Sequence, residues 1–205
     1  MANVNAPYGL IPVRYASGAP YNGACNPYFA TGATGVIAPG DPVVLAGSGN
    51  TSAFGDYGPG MLATVTVALD GDADVKLGVC VAVLSATNAS LPYRETSTDR
   101  IIMVADDPNL IFRGQCNADS TAWAATDIGS YASLKVGTAS TVTGKSAWTL
   151  DTTDVPDNND PSNELLIMNL SRIPNNAIGA YAQWDVMINN HQLANVGDAG
   201  RFTGV

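Results

Sequence analysis

Charge is scarce in this chain: Asp, Glu, Lys and Arg make up 13% of its 205 residues, against roughly 25% in an average soluble domain. Ser, Thr, Asn and Gly must therefore cover much of the surface, or part of it is buried against partners. The charge that exists leans acidic, with 18 Asp+Glu against 9 Lys+Arg and a net charge of −9. A polyanion is held by clustered Lys and Arg that neutralise phosphates, so this balance argues against DNA or RNA as a partner. Histidine occurs once, as His191, and any histidine-dependent base must be that residue. Its neighbours Asn189, Asn190 and Gln192 are neutral, and no Gly-x-Ser-x-Gly elbow offers a nucleophile. Cys25, Cys80 and Cys116 are few and far apart, which suits buried free thiols rather than a disulfide framework or a zinc site. No stretch approaches the ~18 consecutive apolar residues of a membrane helix, and the first residues lack the basic start and apolar run of a secretory signal. The expectation is a soluble protein made in the cytoplasm, with no membrane partner.

Helical spacing is also missing, as is any fixed-period repeat. What the chain has instead is short runs of β-branched and apolar residues between turn signals. Residues 42–45, 61–69, 77–84, 101–104, 110–116, 165–170 and 182–188 read as strands. Residues 99–116 are the most informative stretch. Ile101, Ile102, Met103 and Val104 are apolar on both faces, Asp106-Asp107-Pro108-Asn109 breaks the run, and Leu110, Phe112, Gly114 and Cys116 then alternate with Ile111, Arg113 and Gln115. Period two on the return strand predicts a hairpin of core strands joined by a tight turn. A small apolar element at Trp123-Ala124-Ala125 suggests one helical turn, and residues 131–136 are expected to pair with 146–150. Residues 151–163 read as a solvated acidic loop. Residues 1–40 carry one charged side chain, Arg14, among many Pro, Gly, Asn and Tyr. They are expected to form an extended arm, because prolines remove backbone donors, though one too apolar to be a free solvated tail. Such an arm would wrap its own domain or lie across a neighbouring subunit. The fold expected is all-β: a sandwich or barrel body at residues 41–205, with an N-terminal arm at residues 1–40 and irregular loops.

Candidate chemistry is incomplete wherever it arises. Thr143-Gly144-Lys145-Ser146 has the end of a phosphate-binding loop, but Ala139 stands where the first glycine belongs and a strand follows instead of a helix. Asp70, Asp72 and Asp74 have the spacing of the first calcium-loop ligands, yet Val75 and Val81 occupy the glycine and glutamate positions. Asp151, Asp154, Asp157 and Asp160 offer carboxylates to a hard cation, and Asp106 with Asp107 offers a carboxylate pair. Asp70, Asp72 and Asp74 are better read as an acidic hairpin turn and Asp106-Asp107 as a cap on its turn backbone, while the carboxylates at residues 151–160 read as an exposed loop. No catalytic residue, cofactor site or metal site is assigned, and the protein is not expected to be an enzyme.

The residues do carry a resemblance. Met1-Ala2-Asn3, Ala6-Pro7-Tyr8-Gly9-Leu10, Pro12-Val13-Arg14, Gly40-Asp41, Leu77-Gly78-Val79, Asp106-Asp107-Pro108-Asn109 ahead of a strand ending at Phe112, and the close VMINNHQL at residues 186–193 resemble the capsid decoration (cement) proteins of tailed bacteriophages. The likeness covers most of the chain, leaves out residues 117–163, and departs from the family at Ile11, where an arginine is expected. It implies a non-enzymatic virion protein with a β-rich body, assembled as a homotrimer on the capsid exterior after synthesis in the host cytoplasm. Its partners would be the major capsid protein and other copies of itself, clamped through Tyr8, Leu10, Ile11, Arg14, Tyr15 and Tyr21. Apolar and aromatic side chains suit the buried part of such an interface, and many copies on a symmetric shell turn modest contacts into avidity. Alternatives are a head-fibre or tail component, or a carbohydrate-binding β-sandwich that stacks sugars on Trp123, Trp148 or Trp184.

Overall fold

The first forty residues contribute strands to the body. In a computed structural model that describes residues 3–31, 35–69, 75–84 and 91–194, Ile11–Tyr15 forms β1 and Asn26–Ala30 forms β2. Prolines do not prevent this, because each sits where a ladder donor is dispensable. Pro12 lies on a strand at the sheet edge, and Pro27 pairs only with Met103, ahead of the point where a second neighbour joins. The residues before β1 lie along the same chain. Asn3 donates to the carbonyls of Ala177 and Ala180 at 2.8 and 2.9 Å, Ala6 N donates to Gln115 Oε1 at 2.9 Å, and Leu10 N donates to Gly40 O at 2.9 Å. The described part of the expected arm is thus stitched to its own body.

The remaining strands are β3 (Pro42–Gly49), β4 (Ala63–Val67), β5 (Gly78–Val83), β6 (Arg100–Ala105), β7 (Leu110–Gln115), β8 (Tyr131–Ala132), β9 (Leu134–Lys135), β10 (Thr149–Leu150), β11 (Leu165–Leu170) and β12 (Gln183–Ile188). They form a five-stranded sheet in the order β1-β7-β12-β11-β8, a closed barrel in the order β2-β4-β3-β5-β6, and a β9–β10 ribbon. The all-β expectation holds. Among the described residues the helical structure is a single 3-10 turn at Ala125–Asp127, and Leu134 opposite Leu150 gives the expected pairing of the 130s with the 140s.

The stretch at residues 99–116 is where the expectation fails in an instructive way. Its two strands are not partners: β6 pairs with β5 and β2 inside the barrel, whereas β7 pairs with β1 and β12 in the sheet. The turn between them hands the chain from one sheet to the other. β6 is apolar on both faces because both are covered. Ile102 and Val104 fill the barrel with Ile37, Val43, Val65 and Leu77, while Ala105 and Val79 face the larger core of Phe112, Trp184, Val186 and Ile188 on the sheet. Within the turn, Asp107 Oδ1 accepts Asn109 N at 2.7 Å, as its turn chemistry requires. Asp106 does something else. Its carboxylate accepts Asn26 Nδ2 at 2.9 and 3.0 Å and the Tyr28 hydroxyl at 2.6 Å, tying the crossover to β2.

The loop at residues 151–163 is not simply solvated. Asp151, Thr152 and Asn163 are buried, and Asp154 Oδ2 accepts the Ser133 hydroxyl at 2.7 Å. Burial works to raise the Asp151 carboxyl pKa. Hydrogen bonds from the amide and hydroxyl of Thr153 and from Asn117, with the Lys135 charge, outweigh it and hold the group below its ordinary value. Cys80 and Cys116 are buried free thiols as expected, whereas Cys25 is half-buried.

Candidate functional site

Two glycines bring the chain start and the loop before β3 into contact. Gly9 and Gly40 have φ of +75° and +100°, a region glycine enters freely, and a Cβ on Gly9 would lie 2.1 Å from Gly40 O. Their backbones can therefore meet, and the Leu10–Gly40 hydrogen bond seals the contact. An apolar groove of about 640 Å³ opens beside it, lined by Tyr8, Leu10, Ile11, Pro12 and Tyr21 on one side of the sequence and by Pro39, Gly40 and Val81 on the other, with Lys145 as its charged member. It follows the seam between β1 and the barrel strand β5.

Four of the six expected interface residues line this groove: Tyr8, Leu10, Ile11 and Tyr21. Their roles differ. Leu10 is 2% exposed and belongs to the main core, so it supports the groove floor and is not a displayed contact. Ile11 is 46% exposed and is the side chain a partner can bury. Tyr8 donates its hydroxyl to Gln183 Oε1 at 2.7 Å, and burial raises its pKa, with smaller opposing effects from the charges of Arg113 and Asp185. Tyr15 lies beside the groove, its ring 6.4 Å from that of Tyr21, and donates to Asn22. Arg14 points elsewhere, toward Asn169 and Asp185. Pro39, Val81 and Lys145 were invisible to sequence reasoning because they reach the groove from distant segments.

Asp41 sits behind this wall. It is 1% exposed, and Oδ2 accepts Ala38 N at 2.8 Å. Burial lifts its pKa from 3.8 to about 6, against the opposing pull of Ser146 and the Ala38 amide. Between about pH 4 and pH 6 the folded protein keeps a proton that the unfolded chain releases, so stability falls as pH rises through that window and levels off above it. Asp41→Asn retains an acceptor for Ala38 N and is expected to abolish this slope, worth at most about 3 kcal/mol. Urea denaturation of both proteins across the window checks this, and parallel curves would refute it.

The outward face of the five-stranded sheet carries a second cavity, of about 380 Å³, lined by Arg14, Arg113, Asn169, Arg172 and Asp185. The strand registers place it there: Arg113 on β7 stands opposite Ile11 on β1 and Asp185 on β12, and Asp185 stands opposite Asn169 on β11. Arg14 Nη2 donates to Asn169 Oδ1 at 2.7 Å, and both Arg14 Nη2 and Arg113 Nε lie 3.5 Å from the Asp185 carboxylate. Only Arg14 was singled out from the sequence. Arg113 and Asp185 were legible as outward members of alternating strands, but nothing in the sequence told that those strands are neighbours.

The other candidates do not assemble into chemistry. His191 is buried, and its Nδ1 accepts Leu193 N at 3.1 Å. The segment around Lys145 is a turn, with Gly144 N bonded to Ser140 O, and no phosphate-cradling helix follows. Asp157 and Asp160 accept the amides of Asn159 and Ser162 within their own turns. Asp70, Asp72 and Asp74 lie outside the described residues, and among those described no three His, Cys, Asp or Glu side chains gather as metal ligands. Trp123, Trp148 and Trp184 are at most 1% exposed, so none presents a ring face on which a sugar could stack. Comparison with family models, curated proteins and solved structures finds no match.

Proposed function

We propose that the protein is a capsid decoration (cement) protein, a non-enzymatic component that binds the outside of a tailed-phage head as a homotrimer and stabilises contacts between major capsid protein subunits. One observation carries this reading. Segments that resemble that family from sequence, residues 6–14 and Gly40-Asp41, meet in space and together build an apolar groove with an exposed Ile11. Stiff tyrosines and prolines line it, and they lose little freedom when a partner covers them, which favours tight docking. The stitching of residues 3–10 along the sheet presents the groove preformed.

Ile11→Asp tests the reading without removing a core side chain. Placing a carboxylate in an apolar contact is expected to weaken co-sedimentation with empty capsids by about tenfold or more, while the circular dichroism spectrum is unchanged. Undiminished binding would take the groove out of the mechanism. Failure of the unaltered protein to bind capsids at all would sink the function itself. The mass of the free protein in solution checks the trimer.

A further inference from the structure

The cavity on the outward sheet face gathers three of the chain's nine basic side chains, Arg14, Arg113 and Arg172, around one carboxylate. Its electrostatics are unfinished. Asp185 is already served by neutral donors, the Ser171 hydroxyl and Asn169 Nδ2 at 3.0 Å. The arginines approach it only to 3.5 Å, beyond the roughly 2.7–2.9 Å of a strong charge-assisted bond. Arg113 Nε is shielded from solvent yet makes no hydrogen bond within the described residues. Arg172 is exposed and, among the described residues, has no hydrogen bond or ion pair. Like charges concentrated in a concave site raise one another's energy unless an anion neutralises them. Each guanidinium also offers a planar fork of donors that matches paired oxygens. Three positive groups against one negative leave an excess of two.

We propose that this cavity binds a dianionic oxyanion, either a phosphate group or two neighbouring carboxylates, held by Arg113 and Arg172 with Arg14 completing the ring. The site is independent of the groove and does not require the capsid reading. It also fits a strongly acidic protein, which repels anions elsewhere and can admit one here.

The test is calorimetric titration of the full chain with inorganic phosphate and, separately, with succinate, each against sodium chloride of matched ionic strength. Saturable binding of one or both, weakened about tenfold by Arg172→Gln, is the expected result. Arg172 is exposed, so this variant is expected to fold, and unchanged thermal melting without ligand confirms that it does. Stronger binding of phosphate assigns the site to phosphate groups, and stronger binding of succinate assigns it to carboxylates. Absence of saturable binding by either anion, or equal binding by Arg172→Gln, overturns the proposal.

Discussion

Lys76→Met is expected to destabilise the protein by about 3–5 kcal/mol, the range for stripping one partner from a buried ion pair. Lys76 Nζ lies 2.6 Å from Glu164 Oε1, and neither side chain has any solvent exposure. The pair joins the two halves of the fold: Lys76 leads into the barrel strand β5, and Glu164 leads into the sheet strand β11. Each partner is also bonded to backbone, Lys76 Nζ to Leu69 O at 2.9 Å and Glu164 Oε2 to Leu134 N at 2.6 Å. Removing the ammonium takes the Lys76 charge away from a carboxylate held in a dry place. Adding Glu164→Gln to Lys76→Met removes that buried charge and should restore a large part of the loss, since a neutral pair escapes the desolvation cost. Urea midpoints for both single variants and the double variant form the required cycle. If the two single losses simply add in the double variant, the pair is not coupled and the argument fails.

Gly40→Ala is expected to cost about 2–5 kcal/mol, combining left-handed backbone strain with overpacking. At φ +100° a Cβ would stand 2.2 Å from Tyr8 O, a backbone atom that cannot step aside without breaking the Leu10–Gly40 hydrogen bond. Gly18→Ala separates the two causes. Gly18 has φ of +92° and nothing within 4 Å of the added carbon, so it bears strain alone and should cost only about 1–2 kcal/mol. Comparable thermal midpoints for the two variants would show that the contact between Gly9 and Gly40 contributes nothing. The same substitution is predicted to loosen the groove, because Tyr8 and Leu10 are positioned through that contact.

The strand locations were legible in the sequence because they depend on local pattern. Val, Ile and Thr runs between glycine and proline stops select extended backbone, and period two in residues 110–116 and 182–188 marks which side chains face the core. Ile102 and Val104, or Phe112 and Val186, declare their burial in this way without reference to any partner. The two strands inside the expected arm, β1 and β2, were not legible. β1 and β2 gain their ladders from strands distant in sequence, β7 for β1 and β4 and β6 for β2, and Pro12 and Pro27 mask the pattern.

The candidate sites divide along the same line. Tyr8, Ile11 and Tyr21 stood out as aromatic and apolar residues in a nearly uncharged stretch, but the groove they line exists only because Gly40 and Val81 arrive from the barrel. Arg113 and Asp185 become neighbours only when β7 and β12 pair. The turn at Asp106-Asp107-Pro108-Asn109 shows the division most plainly. Its residues dictate that the chain must bend, since proline restricts φ and Asp107 caps the turn, and they dictate that apolar strands flank it. Whether those strands then pair with each other or part into separate sheets is a matter of which long-range partners bury the most apolar surface. Here β5 and β2 take one strand, β1 and β12 take the other, and Asp106 is pulled onto Asn26 and Tyr28. Local backbone chemistry is written in neighbouring residues. Strand pairing is a competition among distant surfaces, and only the folded chain decides it.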